Sequence, residues 1–146
     1  MVTQVRTEVL IAAPVEKVWA VLTAFDEYEE WNPFIIYASG RAAEGERLRL
    51  TMDFGGSTMK FTPRVRIADG TTLEWLGRVV VPGLFDGLHR FDIEQLGDQT
   101  RVVQSEQFSG IGVKLVKDLV SKTTLSFERA DAALRDRVLA AMQTEQ

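Results

Sequence analysis

Residues 85–108 read FDGLHRFDIEQLGDQTRVVQSEQF, and their alternation decides the fold. Phe85, Gly87, His89, Phe91 and Ile93 fall on one side of an extended chain, with Leu88, Arg90, Asp92 and Glu94 on the other, the period-2 pattern of a strand. Beyond Gly97-Asp98 the alternation resumes, with Val102, Gln104, Glu106 and Phe108 set against Arg101, Val103, Ser105 and Gln107. If Gly97-Asp98 is a two-residue hairpin loop, with glycine where a II′ turn requires it, Leu96 pairs with Gln99 and His89 stands across from Glu106. Directly opposed Cβ atoms lie ~5 Å apart, within reach for imidazole and carboxylate.

Working outward, the same reasoning organises the rest. Val5, Thr7, Val9 and Ile11 share one face of a strand from Thr3 to Ile11. Pro14 opens a helix to Leu22 on the stripe Val15, Val18, Trp19 and Leu22. Asp26 can cap a second short helix that stops at Trp31-Asn32-Pro33. Extended segments follow at Phe34–Ser39, Arg47–Phe54, Thr58–Ile67, Thr72–Val81, Phe85–Leu96 and Arg101–Phe108, divided by glycine-rich turns including Pro82-Gly83. Such short loops require antiparallel neighbours, and strands this long must curl.

The period then changes. Leu115, Val116, Leu119, Val120, Thr123, Phe127, Ala130, Leu134 and Val138 trace one face of a helix from Val113 to Ala141, with Lys114, Lys117, Lys122, Arg129 and Arg135 largely opposite. The expected architecture is an α+β helix-grip fold in a single domain spanning residues 1–146. A seven-stranded curved antiparallel sheet, in the order β-α-α-β6-α, wraps on a long C-terminal helix.

Composition bounds the function. The chain has 146 residues, a net charge of −4 and no cysteine. The acidic balance argues against a nucleic-acid partner or an anionic membrane surface. Without cysteine there are no disulfides, thiolate nucleophiles or Cys-based metal sites, and a cytoplasmic location fits. A lone histidine precludes a multi-histidine metal centre, so neither metal nor cofactor is expected. No apolar run reaches the ~20 residues of a membrane span, and the N-terminus carries no signal-peptide pattern. The expected state is a monomer or weak dimer.

The strand faces nominate a pocket for a small hydrophobic molecule. Met52, Phe54, Met59, Phe61, Trp75, Phe91 and Phe108 point inward from the sheet, and Leu119 faces it from the helix. The plain alternative is that these side chains simply pack the core. His89 and Glu106 also point inward. An ionisable pair there is costly unless hydrogen-bonded or hydrated, so it marks either a polar end to the cavity or a self-satisfied bridge stiffening two strands. A three-residue loop at Pro82–Leu84 would put Gly77 beside His89, leaving room, while Gly87 equally suits a β-bulge.

Four segments carry a resemblance: Ile11–Trp19 (IAAPVEKVW), Trp31–Phe34 (WNPF), Pro82–Phe91 (PGLFDGLHRF) and Glu106–Gly110 (EQFSG). With them the chain resembles the START/Bet v 1-like (SRPBCC) superfamily, in its polyketide cyclase/dehydrase-like branch, over nearly its whole length. The resemblance implies a sheet–helix cavity for lipids, hormones, polyketides or other hydrophobic ligands. A minority of the superfamily are cyclases, aromatases or hydrolases, and some are co-chaperones. It assigns no fixed role to His89 or Glu106. Three functions are therefore weighed. The first is ligand binding without turnover. The second is a cyclase, dehydratase or hydrolase using His89 and Glu106 as an acid/base pair. The third is a protein-interaction module presenting Trp31, Phe34 and Ile35.

Overall fold

The hairpin quoted above forms the two longest strands of the computed structural model, which describes residues 2–78, 85–110 and 116–144. The strands are β1 (Val2–Ile11), β2 (Ile35–Ser39), β3 (Arg49–Asp53), β4 (Thr58–Phe61), β5 (Arg64–Ala68), β6 (Thr72–Arg78), β7 (Phe85–Leu96) and β8 (Gln99–Gly110). Helix α1 (Val15–Thr23) and a 3-10 helix (Phe25–Glu30) lie between β1 and β2, and α2 (Val116–Thr144) follows β8. A five-stranded sheet runs β1-β8-β7-β6-β5 and a three-stranded sheet runs β2-β3-β4, with every pairing antiparallel. They meet where Leu48 N–H donates to the Pro63 carbonyl and Val65 N–H to the Glu46 carbonyl, each at 2.8 Å.

The 12 residues of β7 and of β8 extend ~40 Å, and the 29 residues of α2 ~43 Å, so one helix runs the length of the sheet that grips it. It lies against β1 and presents Thr123, Phe127, Ala130, Leu134 and Val138 as its buried stripe. At its other flank α1 buries Val18 and Leu22, and Arg137 of α2 reaches Glu27 and Glu30 of the 3-10 helix at 3.0 Å each.

Where the elements depart from expectation, local chemistry explains it. The segment expected as one strand, Thr58–Ile67, is two, because Pro63 has no N–H to continue the ladder; the described residues thus form eight strands where seven were expected. The second short helix is a 3-10 turn beginning at Phe25, with Asp26 inside its first turn and no side-chain cap. The three-residue spacing of that geometry turns both Phe25 and Tyr28 into the core. It stops where expected: Asn32 Oδ1 accepts from the N–H groups of Phe34 (2.9 Å) and Ile35 (2.8 Å), steering the chain around Pro33 into β2. The expected Pro82-Gly83 turn and the helix start at Val113 lie outside the described residues.

The β6–β7 register also corrects the glycine placement. Trp75, not Gly77, stands beside His89, and Gly77 faces Gly87 in an unbroken ladder without a bulge at Gly87. Glu74 is on the outer face as expected, yet only 6% exposed, because Arg90 folds over it at 3.2 Å while holding Asp92 at 2.8 Å.

Candidate functional site

Cross-strand pairing arranges the inner face of the larger sheet in rows. One row reads Val65, Trp75, His89, Glu106 and Val5; the next reads Leu73, Phe91, Gln104 and Thr7; on the other side lie Gly77, Gly87, Phe108 and Thr3. The turn count across Gly97, whose φ is +64°, therefore does set His89 against Glu106. His89 Nδ1 lies 2.8 Å from Glu106 Oε2, and the imidazole is 1% exposed. The two atoms lack the alignment of a hydrogen bond, so each is buried without a proper partner. Thr123 Oγ1, on the α2 face that holds Phe127, is likewise buried and unpartnered.

The other imidazole nitrogen is committed. His89 Nε2 is 2.9 Å from Gln104 Oε1, while Gln104 Nε2 donates to Asp131 Oδ1 at 2.7 Å. Thr7 Oγ1 donates to Asp131 Oδ2 at 2.6 Å. Because the Asp131 carboxylate takes the amide N–H, Gln104 turns its carbonyl to the ring, and Nε2 of His89 must carry the hydrogen. Two lone-pair atoms 2.8 Å apart repel, so a proton resides on either Nδ1 or Glu106. Burial pushes the Asp131 carboxyl up to about 6, against the opposing hydrogen bonds from Thr7 and Gln104 and the influence of His89. Asp131 ties α2 to both β1 and β8 in this network.

Aromatic rings surround the polar row. His89 stacks on Trp75 at 4.7 Å and touches Phe91 at 4.9 Å and Phe127 at 5.1 Å between centroids. From Phe127 the rings continue through Phe34 (5.5 Å) and Phe54 (5.3 Å) to Phe61 (6.5 Å) in the smaller sheet. Of the side chains expected to line a pocket, Met52, Trp75, Phe91 and Phe108 are buried, and Phe54 and Phe61 half-buried. Met59 pairs with Met52 but is 43% exposed, since β4 is an edge strand. The Leu119 side chain lies outside the described residues. Phe34 and Ile35 are 2% and 1% exposed, so they do not form the surface that a protein-interaction module would need.

Reading strands and stripes separately missed Asp131 and its tie to Gln104. The signal was present: Asp131 stands four residues after Phe127, inside the apolar stripe, where a carboxylate needs partners. Among the described residues no three of His, Cys, Asp and Glu converge as metal ligands. No helix among them is long and apolar enough to cross a membrane.

Gly87 has a specific task. A Cβ there would collide with Glu106 Oε1, whereas one on Gly77 would meet only Pro63 Cβ at 3.7 Å and the Gly87 carbonyl at 3.9 Å. Gly87→Ala is expected to swing the carboxylate off His89 and cost about 1–3 kcal/mol, with Gly77→Ala within about 0.5 kcal/mol of wild type. Urea melts of the two variants make the comparison, and equal losses would contradict this role for Gly87.

A family model described as polyketide cyclase / dehydrase and lipid transport matches residues 2–143. The chain belongs to that family. With it comes the START/Bet v 1-like (SRPBCC) superfamily, whose helix-grip architecture is the one described above. No curated protein matches the chain. Among solved structures, a START superfamily protein from Mycobacterium smegmatis is 25% identical, with 94% of this chain and 98% of that chain covered and a TM-score of 0.75. A protein from Thermus thermophilus, TTHA0849, is 22% identical, covering 95% and 99%, with a TM-score of 0.78. The Zhui aromatase/cyclase from Streptomyces sp. R1128 is 19% identical, covering 98% and 94%, with a TM-score of 0.72. At such identities the last two share the fold.

Proposed function

We propose that this family member binds a small hydrophobic molecule between the inner sheet face and α2, with His89 and Glu106 anchoring a polar group of the ligand. One observation carries the reading. In an interior walled by Trp75, Phe91 and Phe127, the closely placed His89 Nδ1 and Glu106 Oε2 are buried without satisfactory hydrogen bonds. Buried polar atoms ordinarily find partners, and a ligand hydroxyl or carbonyl would supply them. Met52, Phe54, Phe61 and Phe108 extend the apolar wall in this reading, with Met59 at its edge, and Leu119 is proposed as a further ligand contact. The chain works as one domain, monomeric or weakly dimeric, in the cytoplasm; its lack of cysteine supports that location.

A second reading has its own observation. An imidazole 2.8 Å from a carboxylate is an acid/base pair, and the Streptomyces protein of the same fold is an aromatase/cyclase. Native mass spectrometry of gently purified protein tests the binding reading: a retained small organic molecule is expected, and its addition should raise Tm. Protein that is always empty and that no apolar compound stabilises would refute it. If the ligand is also transformed, His89→Gln is expected to abolish turnover while retaining the molecule; unchanged turnover would exclude the acid/base role.

A further inference from the structure

We infer that the outer surface where the two sheets join is a docking site for an acidic segment of a partner protein. It stands apart from the ligand reading above. Alternation buries Leu48, Leu50 and Met52, which turns Arg47, Arg49 and Thr51 outward. Lys60 pairs with Thr51 from one side and Tyr37 from the other, while Arg47 stands across the joint from Arg64. In β5 the buried Val65 separates Arg64 from Arg66. Arg47, Arg49, Lys60, Arg64 and Arg66 are therefore all exposed on one surface of a chain whose net charge is −4.

Elsewhere the cations are neutralised. Arg6, Arg41, Arg90, Arg101 and Arg137 each hold a carboxylate within 3.5 Å. Among the described residues none of the five at the joint forms an ion pair, and the neighbouring Glu46 is already taken by Arg41 at 3.0 Å. Like charges placed directly opposite destabilise a sheet, so Arg47 facing Arg64 costs stability where it stands. Both are braced instead by backbone: Arg47 Nη1 donates to the Thr62 carbonyl at 3.1 Å and Arg64 Nη1 to the Gly45 carbonyl at 2.8 Å. These bonds fix the guanidinium groups and leave their remaining N–H groups for an incoming acceptor, so less side-chain freedom is lost on docking.

The spacing suits carboxylates on a helix. Cations two residues apart on a strand are ~7 Å apart and those on adjacent strands ~5 Å, close to the ~5–6 Å between helix residues one turn apart. Tyr37, 46% exposed beside them, adds a ring of the kind that anchors protein interfaces. A nucleic acid or an anionic bilayer would spread negative charge well beyond this patch. Further along the outer face of the larger sheet it would meet Glu8, Glu74, Asp92 and Glu94. Tyr37 apart, the patch has no large exposed apolar side chain to enter a bilayer, since Met59 projects from the opposite side of β4 to Lys60.

Four probes test the inference by fluorescence titration against the full chain: an alanine-rich helical peptide with glutamate at every fourth position, its glutamine counterpart, a DNA duplex and phosphatidylserine vesicles. The wild-type protein is expected to bind the glutamate peptide about tenfold more tightly than the glutamine peptide, and less tightly as salt is raised. Arg49→Glu, Lys60→Glu and Arg66→Glu combined should abolish that preference with Tm unchanged, because these side chains hold no partner in the protein. Lys122→Glu, Arg129→Glu and Arg135→Glu combined make the same change in net charge on α2 and should preserve it. Equal binding of the two peptides by the wild-type protein, or binding of neither, overturns the docking site. An equal loss in both triple variants overturns it as well, since net charge alone would then account for the preference. Tighter binding of the duplex or the vesicles than of the glutamate peptide, lost in the first triple variant, overturns the assignment to an acidic protein.

Discussion

Replacing Phe127 by alanine is expected to lower unfolding stability by about 3–5 kcal/mol, the usual cost of truncating a fully buried aromatic side chain. Phe127 is 0% exposed and joins three parts of the molecule, packing from α2 onto His89 of the larger sheet and onto Phe34 at the entry to β2. Phe34 in turn reaches Phe54, after β3, so the loss would leave the smaller sheet without its aromatic link to the helix. Neighbouring rings are held by their own contacts and cannot collapse fully into the space. The expected fall in Tm is roughly 10 °C for a chain of this length. Urea denaturation gives the direct measure: the midpoint should drop with the slope unchanged. A loss below about 1 kcal/mol would mean that Phe127 is not a packing centre.

The second large effect is a pH dependence. The Asp131 carboxyl, ordinarily at 3.8, sits at about 6 in the folded protein, chiefly because of burial. Between those values the folded state holds a proton that the unfolded state has lost. This group's contribution to stability is therefore fully present below pH ~4, declines as pH rises toward 6 and is flat above it. At 1.36 kcal/mol per unit the decline amounts to roughly 3 kcal/mol at most. Asp131→Asn keeps an oxygen to accept from Gln104 and an amide to donate to Thr7, but cannot ionise. Its stability relative to wild type is expected to grow by roughly 2–3 kcal/mol between pH 4 and pH 7. Denaturation curves at several pH values decide it: parallel profiles for the two proteins would show that Asp131 is not the titrating group.

Much of this was legible in one dimension. Alternation around Gly97-Asp98 determined two long strands and, through a two-residue loop, the opposition of His89 and Glu106, because a tight turn leaves the register no slack. The change of period after Phe108 determined a helix long enough to span the sheet. The glycine register failed for the converse reason: a loop of assumed length between β6 and β7 placed Gly77 at the position that Trp75 holds. Nothing in the alternation itself distinguishes registers shifted by two residues, since both keep the same face inward.

Tertiary structure decided what the polar groups do. Gln104 is an inward residue in β8 and Asp131 a lone carboxylate in an apolar helical stripe; neither position reveals that they bond at 2.7 Å. That bond depends on how α2 lies against β1, a packing that buries Phe127, Leu134 and Val138, rather than on any local pattern. It in turn orients Gln104, which sets the hydrogen on His89 Nε2 and leaves Nδ1 facing Glu106. The sequence by itself determined the strands, the helix and the opposed pair, because periodicity and turn length are local. Which polar atoms are satisfied and which are left open was decided only when helix and sheet closed on one another, because a buried hydrogen bond needs atoms from distant segments within about 3 Å.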